Sequence, residues 1–275
     1  KVQVFASRER DEQILGETYH VLKADENSFK GMDIVLFAGK TDVAIQLKDA
    51  VVNAGAKMID NSRAFRQDPE VPLVVPQVNA EDLDWNKGVI ANPNCTTMAI
   101  MPVLKPLADA FGLKRLIVSS YQAVSGAGRA GVEQLMNEAK AAVEQGADKL
   151  VFGGDAIDFP EPTKVARTIA FNEVPMIGDI VDDGSEETDE EQKLRNESRK
   201  ILHLPDLKAS CTCVRVGVFT SHGMSVNAEF EQDVTPDQAR EVLGEAPAVE
   251  LVDIPTAQLA AGKTPSFVGR IRQDQ

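Results

Sequence analysis

The first part of the chain alternates short apolar runs with a segment of helical periodicity. The run at residues 33–38 (DIVLFA) is almost wholly apolar, which is typical of a parallel strand buried on both faces. Residues 42–53 carry apolar side chains at helical spacing, and Gly55 is placed to end that helix. Such alternation indicates βαβ units and a parallel sheet. Further strands are predicted at residues 1–6, 56–60, 73–75 and 88–91.

The pattern changes after residue 95. A strand is predicted at residues 116–123, followed by a long helix over residues 126–145 that begins in a glycine-rich turn. Two long strands at residues 209–221 and 224–230 are separated by so short a turn that we expect them to be antiparallel neighbours. This second part of the chain therefore predicts a separate, α+β domain.

An acidic run at residues 182–191 lies between these elements, and its first half is expected to be a solvated loop. Thr188 is followed three residues later by Glu191, which is the spacing of a capping box. The run is therefore predicted to end in a helix that continues to about residue 202.

The acidity of the chain limits its partners. Its 275 residues carry a formal net charge of −14 at pH 7. Nucleic acid requires a basic face and is excluded as a partner, and anionic membranes are disfavoured for the same reason. A small anionic substrate stays open, because local arginines can bind it. No apolar stretch reaches the ~18 residues of a membrane span, so none is expected.

The chain contains three cysteines, which fits a reducing compartment better than a disulfide framework. The cytoplasm is the expected location, because no signal peptide is visible. Cys211 and Cys213 have C-x-C spacing without a second ligand cluster, so no metal site is predicted.

Cys95 is the most informative residue. It lies in the stretch NPNCTT (residues 92–97), between a predicted strand and an apolar segment that begins a helix. The unpaired N–H groups and the positive end of the helix dipole favour thiolate over thiol. We therefore expect a lowered pKa and a nucleophile, with a buried structural cysteine as the alternative.

A thiolate nucleophile needs an acid/base partner, and the chain has three histidines. His20 lies in a polar segment typical of a surface, and His203 lies at a helix C-terminus, where a cation is favoured. His222 lies at the turn between two predicted strands, where a side chain is held rigidly and remains accessible. A structural histidine and an acid/base catalyst are both open there.

Several charged residues are ambiguous by themselves. Arg215 lies in an apolar strand, where it either forms an internal salt bridge or binds the carboxylate of a substrate. In a flat strand Arg215 and His222 face opposite sides, and a bend would be required to bring them together. Glu190 and Lys193 are three apart on one helix and therefore neighbours, as an ordinary surface pair would also be. Arg66 lies in a turn-rich stretch and carries no signal alone.

Taken together, several stretches resemble the aspartate-semialdehyde dehydrogenase family, enzymes of lysine, threonine and methionine biosynthesis. The resemblance extends over residues 33–275, with order, spacing and residue types in agreement. The stretches that carry it are 60–66 (DNSRAFR), 71–79 (VPLVVPQVN), 92–97 (NPNCTT), 121–128 (YQAVSGAG), the helix containing Glu190, and 215–222 (RVGVFTSH).

The resemblance implies a catalytic trio. Cys95 is expected to be the nucleophile, Gln122 to orient the substrate or intermediate beside it, and His222 to be the acid/base catalyst. The expected chemistry is attack of Cys95 on β-aspartyl phosphate, loss of phosphate to give a thioester, reduction by NADPH, and release of aspartate semialdehyde.

The resemblance also implies binding roles. Arg215 would clamp the substrate α-carboxylate and Glu190 its amino group. The phosphate site would comprise Arg66, Asn94 and Lys193. The cofactor site would comprise Ser125, Gly126 and Gly128 at the nicotinamide, and Ser7 and Arg8 at the 2′-phosphate of NADP.

The fold implied is α/β, with a Rossmann-like parallel-sheet cofactor domain over residues 1–94. An α+β catalytic and dimerisation domain of the glyceraldehyde-phosphate-dehydrogenase-like type would follow over residues 95–275, and the family forms homodimers. The Gly-rich turn expected to bind the cofactor pyrophosphate is not in the sequence, so we expect a fragment truncated at both ends that binds cofactor weakly or not at all. Glu9 stands where the family places an arginine, which opposes NADP preference.

Two alternatives stay open. Another acyl-phosphate reductase, such as N-acetyl-glutamyl-phosphate reductase or a glyceraldehyde-phosphate dehydrogenase relative, would share the thiol and the histidine. Glu190 opposes the former, because an N-acetylated substrate has no ammonium group to pair with it. A non-catalytic paralogue would explain the missing Gly-rich turn, but it would have no need of a nucleophile, a histidine and a substrate-binding set.

Overall fold

The computed structural model describes residues 2–274, which fall into two units. Unit 1 comprises Lys1–Val74 and Glu81–Pro93, and unit 2 comprises Val75–Ala80 and Asn94–Gln275. Lys1 is the first residue of the predicted cofactor domain and Gln275 is the last residue of the predicted catalytic domain. Both lie outside the described residues. In the described part of the chain, no helix combines the length and the apolar character that crossing a membrane requires.

Unit 1 begins with a three-stranded sheet that the hydrophobic pattern did not predict in full. Its order is β1-β3-β2, with β3 parallel to β1 and antiparallel to β2. Leu15 and Gly16 both have positive φ, which is the conformation of a tight hairpin turn between β2 and β3. The strands are β1 (Val4–Ala6), β2 (Arg10–Ile14) and β3 (Glu17–Lys23).

The predicted βαβ pattern is present in a second sheet of unit 1. Its order is β4-β5-β6, all parallel, and α1 connects the first two strands. The helix ends before Gly55, whose φ of +86° confirms the predicted C-terminal cap. These elements are β4 (Ile34–Phe37), α1 (Thr41–Asn53), β5 (Lys57–Asp60) and β6 (Val89–Ala91).

Two details of this sheet differ from expectation. β4 is not buried on both faces, since Ile34 and Leu36 are 58% and 77% exposed. The predicted strand at residues 73–75 is reduced to one bridge between Leu73 and Ala91, because the chain turns into the short helix α2 (Pro76–Asn79) directly afterwards.

Unit 2 is built on a four-stranded mixed sheet in the order β10-β7-β9-β8. β7 is parallel to β9 and antiparallel to β10, and β8 is antiparallel to β9. The strands are β7 (Leu113–Gln122), β8 (Glu173–Val174), β9 (Lys208–Val216) and β10 (His222–Phe230).

The prediction that the two long strands are neighbours is wrong, because β7 lies between β9 and β10. The connecting segment crosses the end of β7. There Val218 and Phe219 accept hydrogen bonds through their carbonyl oxygens from the N–H groups of Val124 and Ser125. His222 is accordingly the first residue of β10 and not a turn residue.

Helices cover this sheet. The predicted long helix from residue 126 is interrupted: a 3-10 helix spans Val124–Ala127, Gly128 adopts φ +76°, and the α-helix begins only at Arg129. The capping box at Thr188 is confirmed. The helices of unit 2 after α2 are α3 (Cys95–Phe111), α4 (Arg129–Gln145), α5 (Asp189–Ile201), α6 (Pro236–Gly244) and α7 (Ala257–Ala260), and the two remaining strands are β11 (Val249–Leu251) and β12 (Ser266–Val268).

Candidate active site

Cys95 is the first residue of α3, as its sequence context predicts. Asn94 is the N-cap, in extended conformation, and its side-chain oxygen accepts a hydrogen bond from the backbone N–H of Thr96 at 3.0 Å. The thiol therefore lies at the end of the helix where unpaired N–H groups point outward.

Three predicted site residues lie in one row across the sheet of unit 2. Gln122, the last residue of β7, is directly opposite His222 on β10 and directly opposite Arg215 on β9. Residues opposite one another in a sheet face the same side. No bend within a single strand is needed to bring Arg215 and His222 together, because they come from different strands.

His222 faces the thiol. Its Nε2 lies 3.3 Å from Sγ of Cys95. On the other side of the ring, the backbone N–H of Ala123 donates to Nδ1 at 3.1 Å. Because Nδ1 accepts this hydrogen bond, the hydrogen-bond network assigns the proton of the neutral ring to Nε2. The imidazole is thus oriented as an N–H donor toward the sulfur.

The pKa of Cys95 differs from the expectation. Burial raises the pKa of this thiol above its ordinary value, and the negative charge of Glu190 raises it further. The N–H of Thr96 and the guanidinium of Arg215 act in the opposite direction, and burial outweighs them. The predicted lowering is therefore wrong: the effect of the helix start is present but smaller than desolvation. Burial likewise lowers the pKa of His222, which favours the neutral ring.

Glu190 is the centre of a buried polar network. Its carboxylate accepts hydrogen bonds from Nε2 of Gln122 at 3.0 Å, and from Nδ2 of Asn94 at 3.1 and 3.2 Å. Lys193 lies one turn further along α5 and approaches the same carboxylate at 3.2 Å, while it pairs with Asp189 at 2.8 Å. The Glu190–Lys193 pair therefore belongs to the network around Asn94 and is not an isolated surface pair.

Arg215 is buried, and burial lowers the pKa of its guanidinium. Its Nη1 donates to the carbonyl oxygen of Ala123 at 2.8 Å. The backbone of Ala123 therefore fixes two site residues at once, because its N–H binds the ring of His222. A buried guanidinium close enough to act on the Cys95 thiol is suited to binding an anionic group there.

Glycine at position 126 keeps this region open. A Cβ atom there would lie 3.1 Å from Nη1 of Arg215 and 3.7 Å from Cε1 and Nε2 of His222. Ser125, Gly126 and Gly128 are all exposed in the turn before α4. A flat ring such as a nicotinamide fits a surface without side chains, so Gly126 and Gly128 are compatible with their predicted cofactor role.

The remaining predicted residues belong to unit 1. Arg66 is buried and donates to the carbonyl oxygens of Ser62 at 2.9 Å and Asn61 at 3.0 Å. Ser7 and Arg8 are exposed and follow directly after β1. Across residues 2–274, no group of three or more His, Cys, Asp or Glu side chains is arranged to hold a metal ion.

Glu197 is a residue that the sequence did not single out. Its Oε2 accepts a hydrogen bond from the backbone N–H of Asn94 at 2.6 Å, and the side chain is buried. The available signal was its spacing, because it lies seven residues after Glu190 and therefore on the same face of α5.

Two family models match the chain. The semialdehyde dehydrogenase NAD-binding domain model matches residues 1–86, and the semialdehyde dehydrogenase dimerisation domain model matches residues 104–275. The chain is 53% identical to the aspartate-semialdehyde dehydrogenase of Streptomyces akiyoshiensis, over 100% of this chain and 81% of that protein. Identity to the Corynebacterium glutamicum enzyme of the same name is 54%, over 94% of this chain and 75% of that protein.

A solved structure is similar throughout most of the chain. The crystal structure of aspartate semialdehyde dehydrogenase II from Vibrio cholerae, complexed with ASA, is 34% identical with a TM-score of 0.86. The similarity covers 96% of this chain and 76% of that one. The chain therefore belongs to the aspartate-semialdehyde dehydrogenase family.

Proposed function

We propose that this protein reduces β-aspartyl phosphate to aspartate semialdehyde with release of phosphate, through a thioester on Cys95, in lysine, threonine and methionine biosynthesis. The observation that carries the proposal is the 3.3 Å approach of His222 Nε2 to Cys95 Sγ at the start of α3. A thiol at a helix start beside an imidazole is the arrangement of an activated cysteine nucleophile.

The residues divide the chemistry among them. Sulfur attack on the acyl carbon displaces phosphate and forms the thioester. Nε2–H of His222 is directed at the sulfur, so it stabilises thiolate before attack and again when the carbon–sulfur bond breaks to release the aldehyde. Bound NADPH would supply the hydride. Gln122 would orient the acyl group beside Cys95.

Binding of the substrate is assigned to the charged groups around the thiol. The buried guanidinium of Arg215 would hold the α-carboxylate, and the carboxylate of Glu190 would hold the ammonium group. For the phosphate, the resemblance implies Arg66, Asn94 and Lys193. A substrate cation near Glu190 would also offset the charge that raises the pKa of Cys95, so substrate binding would favour the thiolate.

The test is substitution of the nucleophile. In the full-length protein, Cys95→Ser should abolish aldehyde formation and leave the unfolding curve close to wild type. Cys211→Ala, at a buried cysteine in β9, should retain turnover within about 3-fold. If Cys95→Ser turns over at the wild-type rate, the proposal is wrong. Parallel assays with N-acetyl-glutamyl phosphate distinguish the nearest alternative, which the buried carboxylate of Glu190 disfavours.

For the cofactor we propose NADP, with residues 1–94 as its binding domain and residues 95–275 as the catalytic and dimerisation domain. Arg8 carries an exposed guanidinium and is separated from the end of β1 by Ser7 alone, where it can pair with a 2′-phosphate. Glu9, the residue that opposes this preference, pairs with His20 at 3.1 Å. Arg8→Ala should reduce the ratio of kcat/KM for NADPH to that for NADH, and an unchanged ratio would contradict the assignment.

We also propose that the protein forms a homodimer through unit 2 and that it is located in the cytoplasm. Ile117 and Tyr121 are exposed apolar residues on one face of β7, and a second copy of the chain would cover that face. Ile117→Asp should shift the sedimentation coefficient from dimer to monomer. Val151→Asp, at an exposed apolar residue elsewhere in unit 2, should leave the dimer intact.

A further inference from the structure

One face of α5 carries three charged residues toward the start of α3. Glu190, Lys193 and Glu197 are separated by three and four positions, which places them on the same side of the helix. The first two have proposed roles in substrate binding. Glu197 is only 1% exposed, and a carboxylate is costly to bury unless hydrogen bonds compensate it.

One hydrogen bond of Glu197 is made to the backbone at the start of α3. Its Oε2 lies 2.6 Å from the backbone nitrogen of Asn94, which is short for an N–H donor to a carboxylate and typical of a strong, charge-assisted bond. This N–H belongs to the N-cap residue, directly before Cys95.

Asn94 is therefore held at both ends by one helix. Glu190 accepts from its side-chain amide, and Glu197 accepts from its backbone amide. Its side-chain oxygen in turn accepts from the N–H of Thr96, which fixes the first turn of α3. The position of Sγ of Cys95 relative to the ring of His222 depends on that turn.

We propose that Glu197 is a positioning residue, which fixes the start of α3 through Asn94 and so aligns the Cys95 thiol with His222. The proposal rests on the proposed nucleophilic role of Cys95. In this role Glu197 must supply an acceptor oxygen at the position of Oε2, and its negative charge matters less than that position. A reacting group displaced by about 1 Å can lose up to ~100-fold in rate, so the expected effect of withdrawing the oxygen lies between about 10- and 100-fold in kcat.

Two variants separate reach from charge. Glu197→Asp keeps the charge but withdraws the carboxylate by one methylene group, and should lower kcat by about 10- to 100-fold with KM within about 3-fold. Glu197→Gln keeps an acceptor oxygen at full reach, and should retain kcat within about 5-fold. The matched control is Glu138→Asp, because Glu138 is also 1% exposed and accepts from backbone N–H groups, those of Ile169 and Ala170.

A second readout follows Cys95 directly and needs no cofactor. The N–H of Thr96 lowers the pKa of the Cys95 thiol, and a loosened first turn would lose that effect. Alkylation of Cys95 by iodoacetamide at pH 8 should therefore be about 3-fold slower in Glu197→Asp than in wild type, because the pKa of the thiol would rise. Alkylation in Glu197→Gln and Glu138→Asp should match wild type.

The outcomes are decisive in either direction. Loss of kcat in Glu197→Asp alone, with slower alkylation, supports the proposal. Equal losses of kcat in Glu197→Asp and Glu138→Asp would overturn the proposal, because they would show that Glu197 only stabilises the fold. A larger loss of kcat in Glu197→Gln than in Glu197→Asp would also overturn it, because it would show that the charge matters more than the position of the oxygen. Failure of the nucleophile assignment is seen separately, as turnover that survives in Cys95→Ser.

Discussion

Replacing Asn94 by aspartate would place a second carboxylate against Glu190. Nδ2 of Asn94 now donates to both oxygens of Glu190 at 3.1 and 3.2 Å, and both residues are buried. Asn94→Asp keeps an oxygen to cap α3 and changes one group, the donor that faces Glu190. The variant therefore isolates the electrostatics of this contact from the helix cap.

The magnitude follows from the geometry. Two negative charges about 3 Å apart repel by about 5 kcal/mol at an effective dielectric constant of about 20. Either carboxyl group can bind a proton instead, at about 1.4 kcal/mol for each pH unit above its ordinary pKa near 4, which limits the cost at pH 7 to about 4 kcal/mol. We expect Asn94→Asp to lose about 2–4 kcal/mol of unfolding free energy at pH 7.

The pH dependence has a definite sign. In the variant, repulsion between the two carboxylates raises the folded-state pKa of the pair above its unfolded value, so the cost is largest at high pH. It decreases by about 1.4 kcal/mol per unit as pH falls and disappears near pH 4. Protonation also restores a donor, since the neutral carboxyl group can donate to its partner. Urea unfolding followed by circular dichroism at pH 5 and pH 7 measures both values.

Asn227→Asp provides the matched control. Nδ2 of Asn227 donates to a carboxylate oxygen of Asp274 at 3.0 Å, and that pair is exposed. The same substitution there should cost less than about 1 kcal/mol, because solvent screens surface charges. Our reasoning about the network is refuted if Asn94→Asp is no less stable than Asn227→Asp, or if its cost is the same at both pH values.

Three further predictions follow from the site. Glu190→Gln removes a charge that raises the pKa of the Cys95 thiol, so iodoacetamide should modify Cys95 faster at pH 7 than in wild type, and an unchanged rate would contradict the electrostatic account. Burial raises the pKa values of Cys211 and Cys213 to about 12. When native protein is alkylated at pH 8, mass spectrometry should therefore locate the adduct on Cys95 alone. Modification of either buried cysteine before unfolding would contradict their burial. Gly126→Ala places a Cβ 3.1 Å from Nη1 of Arg215. KM for the acyl phosphate should therefore rise by about 10-fold with little change in unfolding free energy. Wild-type kinetics would contradict this, because they would show that the guanidinium moves aside without loss of binding.

Local signals in the sequence predicted local structure well. The start of α3 at Cys95 and the capping box at Thr188 are both determined by side chains within a few residues, and both are confirmed. The helix expected from residue 126 was predicted too early, because a glycine with positive φ at position 128 interrupts it. Hydrophobic periodicity does not report such a break.

Contacts between distant segments were not accessible in the same way. The insertion of β7 between β9 and β10 depends on hydrogen bonds from residues about 90 positions apart in the chain, such as Val124 N–H to Val218. The parity argument that separated Arg215 from His222 therefore failed, since it treated one strand when two were involved. The resemblance predicted which residues form the site, and the structure shows that Arg215 and His222 lie on either side of Gln122, the last residue of β7.

The pKa of Cys95 required the structure for a different reason. The helix start lowers the pKa of the thiol, and this effect was predictable from position alone. Desolvation and the charge of Glu190 raise the pKa instead, and both come from residues that are far from Cys95 in the sequence but close to it in the fold. The direction of the net pKa shift of Cys95 therefore could not be predicted from the sequence.

The central claim is that Cys95 forms the thioester, and trapping that thioester tests it most directly. Protein incubated with β-aspartyl phosphate in the absence of NADPH, quenched in acid and digested, should carry an aspartyl group on the peptide that contains Cys95. Phosphate should be released in equal amount. Release of phosphate without an acyl group on Cys95, from protein that is competent for turnover, would contradict the account.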